Sequence, residues 1–128
     1  MDGPLRLGLI DQSPTVLDAL AKWLALARVG ELVGTATSLH EALATWHQPQ
    51  LDALLLDVRH PSQLPLETLA TFKEQFPNVK VVLMSHFSLD AEAAGCPVGV
   101  EAYLDKASLI DRLAPTLSRL FPHKKRST

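Results

Sequence analysis

The 128-residue sequence has little of several features that mark other classes of protein. It has one cysteine, Cys96, which excludes an intrachain disulfide and a zinc site of several thiolates. No apolar run approaches the roughly 20 residues of a membrane-spanning helix, and residues 5–10 are too short for a signal sequence. The net charge is only −2, so no charge excess draws the domain to nucleic acid or an anionic membrane. We therefore expect a cytoplasmic domain that does not bind nucleic acid or a membrane directly.

The sequence does have enough apolar residues for one substantial core. Hydrophobic residues make up 47% of the chain and charged residues 20%, which is typical of a globular domain. Short apolar segments alternate with amphipathic ones along the chain. The segments predicted as strands are residues 5–10, 31–37, 51–58, 79–84 and 102–104.

Helix-start signals follow several of these strands. Ser13 precedes Pro14, which is a typical N-cap followed by proline in the first helical position. Ser38 and Glu41 have the spacing of a capping box, and Ser108 is predicted to cap the last helix. Another helix is predicted over residues 66–76.

Two stretches give weaker signals. Residues 89–96 could form a short helix, although Gly95, Pro97 and Gly99 crowd its end. Pro115 lies inside the last predicted helix, where it should kink the helix or shift its start.

The alternation of strands and helices predicts an α/β fold. Five strands joined by helices indicate a doubly wound parallel sheet covered on both faces. We expect a single domain over residues 1–122, followed by a basic polar tail or the start of a linker at residues 123–128.

Polar residues stand at the ends of four predicted strands, and the carboxyl ends of parallel strands meet at one edge. They are Asp11, Asp57, Ser85 and Lys106. This set suits chemistry in which a carboxylate accepts a phosphoryl group. Asp57 would be the nucleophile, and Asp11 would help to hold a hard divalent cation. Lys106 would offset phosphoryl charge, and Ser85 would donate a hydrogen bond to a phosphoryl oxygen.

Four segments carry a resemblance to a known family: LGLIDQSP, LLLDVRHP, VVLMS and EAYLDKAS. Over about residues 5–121, the sequence resembles the receiver domain of two-component response regulators. The resemblance implies a flavodoxin-like sheet in the order 2-1-3-4-5. It also implies a histidine kinase or phosphotransfer protein as partner, Mg²⁺ as cofactor, and a homodimer through the face of the last strand and helix. Such a domain is no enzyme beyond slow autodephosphorylation.

The resemblance assigns roles to individual residues. It implies that Asp57 is the phosphoacceptor and that Lys106 corresponds to the invariant lysine of the family. It implies that Ser85 and Tyr103 form the activation switch. The implied metal ligands are Asp11, Asp57, the backbone carbonyl of Arg59 and, as a weak ligand, Gln12. Pro61 matches the proline in the family's loop after the third strand.

Three positions depart from the family's pattern. Gln12 stands where the family usually has a second acid, so we expect magnesium to bind more weakly. Ser62 replaces a glycine, and Ala107 stands where many members carry a cis-proline. Compared with the family, the stretch between Ser85 and Tyr103 is slightly short and rich in glycine and proline. The sequence therefore does not predict how this domain would pass on its signal.

Two other functions stay open at this point. One is a pseudo-receiver, a dimerisation or partner-binding module that works without phosphorylation, which Gln12 favours. The other is a phosphohydrolase of the haloacid-dehalogenase type, because the segment from Asp11 to Thr15 loosely resembles that family's nucleophile loop. In that segment, however, Ser13 replaces the aspartate that would act as general acid.

Overall fold

The computed structural model describes residues 3–47, 50–60, 63–86 and 99–123. Its strands are β1 (Arg6–Ile10), β2 (Glu31–Ala36), β3 (Ala53–Asp57), β4 (Lys80–Ser85) and β5 (Ala102–Asp105). Its helices are α1 (Pro14–Ala27), α2 (Leu39–Thr45), α3 (Leu66–Gln75), a 3₁₀ turn (Lys106–Ser108) and α4 (Leu109–Leu120). The strands form one parallel sheet in the order β2-β1-β3-β4-β5, so the predicted fold and strand order are confirmed.

The core lies on both faces of this sheet, as the apolar run before Asp57 predicts. Leu54 and Leu56 of β3 belong to one apolar cluster, to which α2 and α3 contribute. Ala53 and Leu55 belong to the other, to which α1 and α4 contribute. Side chains alternate between the two faces of a strand, so β3 is buried on both sides and delivers Asp57 to the edge of the sheet.

The first two predicted helix starts are confirmed. The Ser13 hydroxyl accepts a hydrogen bond from the backbone N–H of Val16, at 3.3 Å. The Ser38 hydroxyl accepts one from the N–H of Glu41, at 3.0 Å. α1 ends at Ala27, and the C-cap residue Arg28 that follows adopts the left-handed conformation at φ 55°.

The predicted cap of the last helix is wrong. The Ser108 side chain makes no capping bond, and its hydroxyl lies 3.3 Å from the carbonyl oxygen of Asp105, to which it donates. A 3₁₀ turn leads directly into α4, and the Asp105 carboxylate caps this turn by accepting the N–H of Ala107. Pro115 does not shift the start of α4, which runs through it without a break.

Some sequence predictions fall outside the described residues. They concern the helix at residues 89–96, Pro61, Ser62, Cys96 and residues 124–128. Among the residues that the structure does describe, no helix is both long and apolar enough to cross a bilayer.

Trp46 fixes the β1–β2 half of the sheet through two glycines. Gly8 and Gly34 are register partners on these strands, and the buried indole ring of Trp46 lies over both. A Cβ atom at Gly34 would come within 2.7 Å of the ring, and one at Gly8 within 2.6 Å. The indole N–H also donates to the carbonyl of Thr35, at 3.1 Å. This packing holds β1, whose end carries Asp11.

We expect Gly34→Ala to destabilise the fold by about 1–3 kcal/mol, because the added methyl group collides with a ring that is enclosed in the core. The measurement is the free energy of unfolding from urea titration. Gly3→Ala is the matched control, since no heavy atom lies within 4 Å of a Cβ there. Equal stability of the two variants would contradict this account of the packing.

Candidate functional site

The four polar residues predicted at strand ends meet at the carboxyl edge of the sheet. Asp11 directly follows β1, Asp57 ends β3, Ser85 ends β4, and Lys106 directly follows β5. Since all the strands are parallel, their carboxyl ends share one edge. The structure therefore brings together residues that lie as far as 95 positions apart in the chain.

Lys106 bridges the two aspartates. Its Nζ atom lies 2.6 Å from Oδ2 of Asp11 and 2.6 Å from Oδ1 of Asp57. The side chains are 10% exposed for Lys106, 2% for Asp11 and 12% for Asp57. Charge-assisted bonds of this length in a largely buried site are strong, and they hold the three groups in fixed positions.

The remaining carboxylate oxygens accept backbone N–H groups. Oδ1 of Asp11 accepts the N–H of Ser13 at 2.9 Å. Oδ2 of Asp57 accepts the N–H of Gln12, but at 3.5 Å. Each of the four carboxylate oxygens thus has a donor, and Oδ2 of Asp57 is the one that is held most loosely.

The ionic state of Lys106 follows from two opposing effects. Burial alone would lower the pKa of its ammonium group, because a low-dielectric site disfavours charge. The hydrogen bonds and the negative charges of Asp11 and Asp57 together outweigh burial and raise the pKa of Lys106 above its ordinary value. Lys106 is therefore charged at neutral pH, and with both acids ionised the trio carries a net charge of −1.

A cavity of about 430 Å³ opens above this trio and is called the edge cavity below. Its lining residues are Asp11, Gln12, Ser13, Val16, Asp57, Val58, Arg59, His86 and Lys106. The Asp57 side chain is the more exposed of the two acids, so a ligand in the edge cavity reaches Asp57 more easily than Asp11.

Ser85 joins the end of β4 to the loop after β3. It is fully buried, and its hydroxyl donates to the carbonyl oxygen of Arg59 at 3.0 Å. The N–H of Val58 donates to the carbonyl of Met84 at 3.0 Å, so two hydrogen bonds tie this loop to β4. The carbonyl that the resemblance implies as a metal ligand is therefore bonded to the predicted switch hydroxyl.

Tyr103 lies on β5, next to this region. Its register partner on β4 is Leu83, two residues before Ser85. The ring is half-buried against the cluster that includes α2 and α3, and its hydroxyl oxygen is buried. The side chain thus points into the body of the domain.

Three features of the site escaped prediction from the sequence. The backbone N–H groups of Gln12 and Ser13 contact the acids, and no residue-type signal announces a main-chain donor. Ala107 also uses its N–H, which donates to Asp105, whereas a proline there would have none to donate. Finally, nothing in the pattern indicates that Lys106 contacts both acids at once.

Among the described residues, two acids line the edge cavity and could supply ligands for a metal, Asp11 and Asp57. Among the described residues, no three Asp, Glu, His or Cys side chains cluster as metal ligands. Hard oxygen donors are nevertheless present in Asp11, Asp57 and the carbonyl of Arg59, and Gln12 lines the same cavity. This donor set fits a hard divalent cation, but with less negative charge than three carboxylates would provide.

The sequence and the fold both resemble those of known proteins. A family model described as the response regulator receiver domain matches residues 7–118. The DNA-binding transcriptional regulator NtrC of Proteus hauseri is 31% identical over an alignment of 110 residues, and the match covers 83% of this chain but 23% of NtrC. The chain thus spans less than a quarter of the length of that relative.

Two solved structures show the same fold. A response regulator receiver domain protein from Clostridium thermocellum has a TM-score of 0.71 at 23% identity, over 92% of this chain and 94% of the other. A chain in the complex of the phosphorylated P1 domain of CheA3 with CheY6 from R. sphaeroides has a TM-score of 0.69 at 21% identity. That match covers 93% of this chain and 98% of the other.

Lys106→Met should destabilise the fold by about 3 kcal/mol at neutral pH, because it leaves two neighbouring buried acids without their cation. The folded-state pKa of Lys106 is raised, so its stabilisation is complete below the unfolded pKa and is lost as the pH rises through the folded pKa. The difference between wild type and Lys106→Met should therefore shrink only above about pH 10.4. The measurement is urea unfolding across that range.

Lys22→Met is the control for this experiment, since the Lys22 side chain is 76% exposed. It should leave stability nearly unchanged at every pH. A Lys106→Met variant that matches the control at neutral pH would contradict the structural role of the bridge.

Proposed function

The chain belongs to the response regulator receiver domain family, and we propose that it accepts a phosphoryl group on Asp57 from a histidine kinase or phosphotransfer protein. The observation that carries the proposal is the Asp11–Lys106–Asp57 bridge, in which Asp57 is the acid more open to the edge cavity. The class of phosphodonor is supported by the solved complex of CheY6 with the phosphorylated P1 domain of CheA3, in which one chain has the fold of this protein. The family consists of signalling domains rather than classical enzymes.

In the proposed reaction, a carboxylate oxygen of Asp57 attacks the phosphorus of phosphohistidine. The O–P bond forms as the P–N bond breaks, and the imidazole leaves with the electron pair. Oδ2 is the better placed oxygen, because the hydrogen bond that it accepts from the N–H of Gln12 is 3.5 Å long, whereas Oδ1 is bound tightly by Lys106. The ammonium of Lys106 then offsets negative charge that gathers on the phosphoryl oxygens.

We propose that Asp11, Asp57 and the carbonyl of Arg59 hold Mg²⁺ weakly, with Gln12 as an uncharged fourth donor. When bound, the ion would supply positive charge beside the phosphoryl oxygens. Two features support weak binding. Gln12 brings no negative charge, and Lys106 already neutralises one of the two acids.

We propose that Ser85 and Tyr103 report phosphorylation to the rest of the domain. The Ser85 hydroxyl would exchange the Arg59 carbonyl for a phosphoryl oxygen, which loosens the tie between β4 and the loop after β3. Tyr103 lies on the strand paired with β4, so its packing is the first to respond. The phosphorylated domain would hydrolyse its own acyl phosphate only slowly.

A phosphorylation-independent binding module is the second candidate. The observation that favours it is that protein groups already donate to all four oxygens of the two acids. In that case, Asp57→Asn should leave partner binding unchanged. A phosphohydrolase would instead need Asp11 as nucleophile, but that side chain is 2% exposed and both its oxygens are bonded.

The first test of the proposal is phosphorylation by a small acyl phosphate in the presence of Mg²⁺, followed by intact mass spectrometry. The wild type should gain one phosphoryl group, and Asp57→Asn should gain none because it lacks the nucleophilic carboxylate. Asp52→Asn is the matched control, since Asp52 lies before β3 and accepts the N–H of Arg6 far from the edge cavity. Equal labelling of wild type and Asp57→Asn would rule out Asp57 as acceptor.

The second test concerns the metal. Gln12→Asp should tighten Mg²⁺ binding by at least about fivefold, because a charge pair about 4 Å apart gains about 1 kcal/mol even in water. The measurement is a Mg²⁺ titration followed by NMR shifts of backbone amides near Asp57. Asn78→Asp makes the same amide-to-carboxylate change at the opposite edge of the sheet, before β4. If both variants bind Mg²⁺ like the wild type, Gln12 is not at the metal site.

A further inference from the structure

α1 has more apolar surface than its contact with the sheet uses. Ten of its 14 residues are apolar, but only Leu24 is buried. α4 lies on the same face of the sheet and provides a comparison, because three of its six apolar residues are buried. The excess of unburied apolar residues on α1 is therefore a property of this helix and not of the face of the sheet on which it lies.

The apolar residues of α1 form two stripes. The inner one packs on the core cluster and consists of Leu17, Leu20, Ala21 and Leu24. The other, called the outer stripe below, consists of Val16, Ala19, Trp23 and Leu26. Its members are three, four and three residues apart, which is the spacing of a helix that pairs with another helix.

Much of the outer stripe is open to solvent. Leu26 is 83% exposed and Val16 is 38% exposed, and these are two of the four exposed large hydrophobic residues among those described. Ala19 is exposed as well, and its small side chain lets a second helix approach closely. Trp23 is half-buried against the core and adds its remaining surface to the stripe.

The charges of α1 fit a second copy of the same helix. Its only charged residues are Asp18 and Lys22, which form a 3.1 Å ion pair on the exposed side of the helix. Leu20 lies midway between them and near the middle of α1. A two-fold axis that crosses the outer stripe at the height of Leu20 along the helix brings Asp18 of one copy level with Lys22 of the second copy, and the reverse contact forms by symmetry.

We propose that the chain self-associates through an antiparallel pair of α1 helices that buries the outer stripe around such an axis. One helix pair of about 21 Å length is a small interface, so we expect a weak dimer with a dissociation constant of about 10 μM to 1 mM. The inference does not depend on phosphorylation of Asp57. It also differs from the dimer through the last strand and helix that the family resemblance implies.

The first experiment compares two exposed leucine-sized residues by sedimentation equilibrium up to about 1 mM protein. Leu26→Lys should weaken association by about tenfold or more, because it places a charge in the outer stripe. Ile110→Lys on α4, where the side chain is 72% exposed, should leave association unchanged. Far-UV circular dichroism and urea midpoints check that both variants are folded. Weakening by Ile110→Lys and not by Leu26→Lys would overturn the proposal.

The second experiment tests the two-fold arrangement. Asp18→Lys and Lys22→Asp should each weaken the dimer, since each places like charges opposite one another. The double variant restores opposite charges across the axis, so it should regain most of the wild-type affinity. A double variant that associates no better than the single ones would rule out this pairing.

Two further results decide whether a second copy of the chain covers the outer stripe. A wild type that stays monomeric at every concentration would overturn self-association, whether or not Leu26→Lys slows phosphotransfer from a donor protein. Asp57→Asn should dimerise like the wild type, so failure of phosphorylation and failure of this inference are separate outcomes.

Discussion

The contact of one lysine with two aspartates is the constraint on which the rest of the site depends. Lys106 follows β5, whereas Asp57 ends β3 and Asp11 follows β1, so the ammonium group must reach past the end of β4. The long, flexible side chain of lysine achieves this. Burying three charges is costly unless each is paired and hydrogen-bonded, and here each is. The relative positions of three strand ends are thereby fixed.

This arrangement also explains why Asp11 and Asp57 differ in their accessibility to a ligand. Asp11 is enclosed, with one oxygen held by the lysine and the other by a short backbone hydrogen bond. Asp57 has the same lysine on one oxygen but a long bond on the other, and its side chain is more exposed. The same pair of residue types is therefore a fixed charge in one case and an accessible carboxylate in the other. Burial and hydrogen-bond length make the difference.

Most of the fold and the membership of the site follow from local sequence signals. The apolar run before Asp57 predicts a strand buried on both faces, and residues 54–56 are buried in that way. What the sequence does not show is side-chain geometry, such as the lysine that contacts two acids or the hydroxyl of Ser85 on the carbonyl of Arg59. The predicted cap at Ser108 is wrong for a similar reason. A 3₁₀ turn capped by Asp105 takes over the helix start, and serine alone does not reveal it.

The central claim is that Asp57 is the carboxylate that becomes an acyl phosphate. The most direct measurement is borohydride reduction of the protein after it has reacted with a phosphodonor, followed by peptide mass spectrometry, because borohydride converts an acyl phosphate into a stable alcohol. The account predicts that the reduced residue is Asp57 and that Asp11 stays unmodified. Reduction at Asp11 or another residue, or none under conditions that label an ordinary receiver domain, would contradict it.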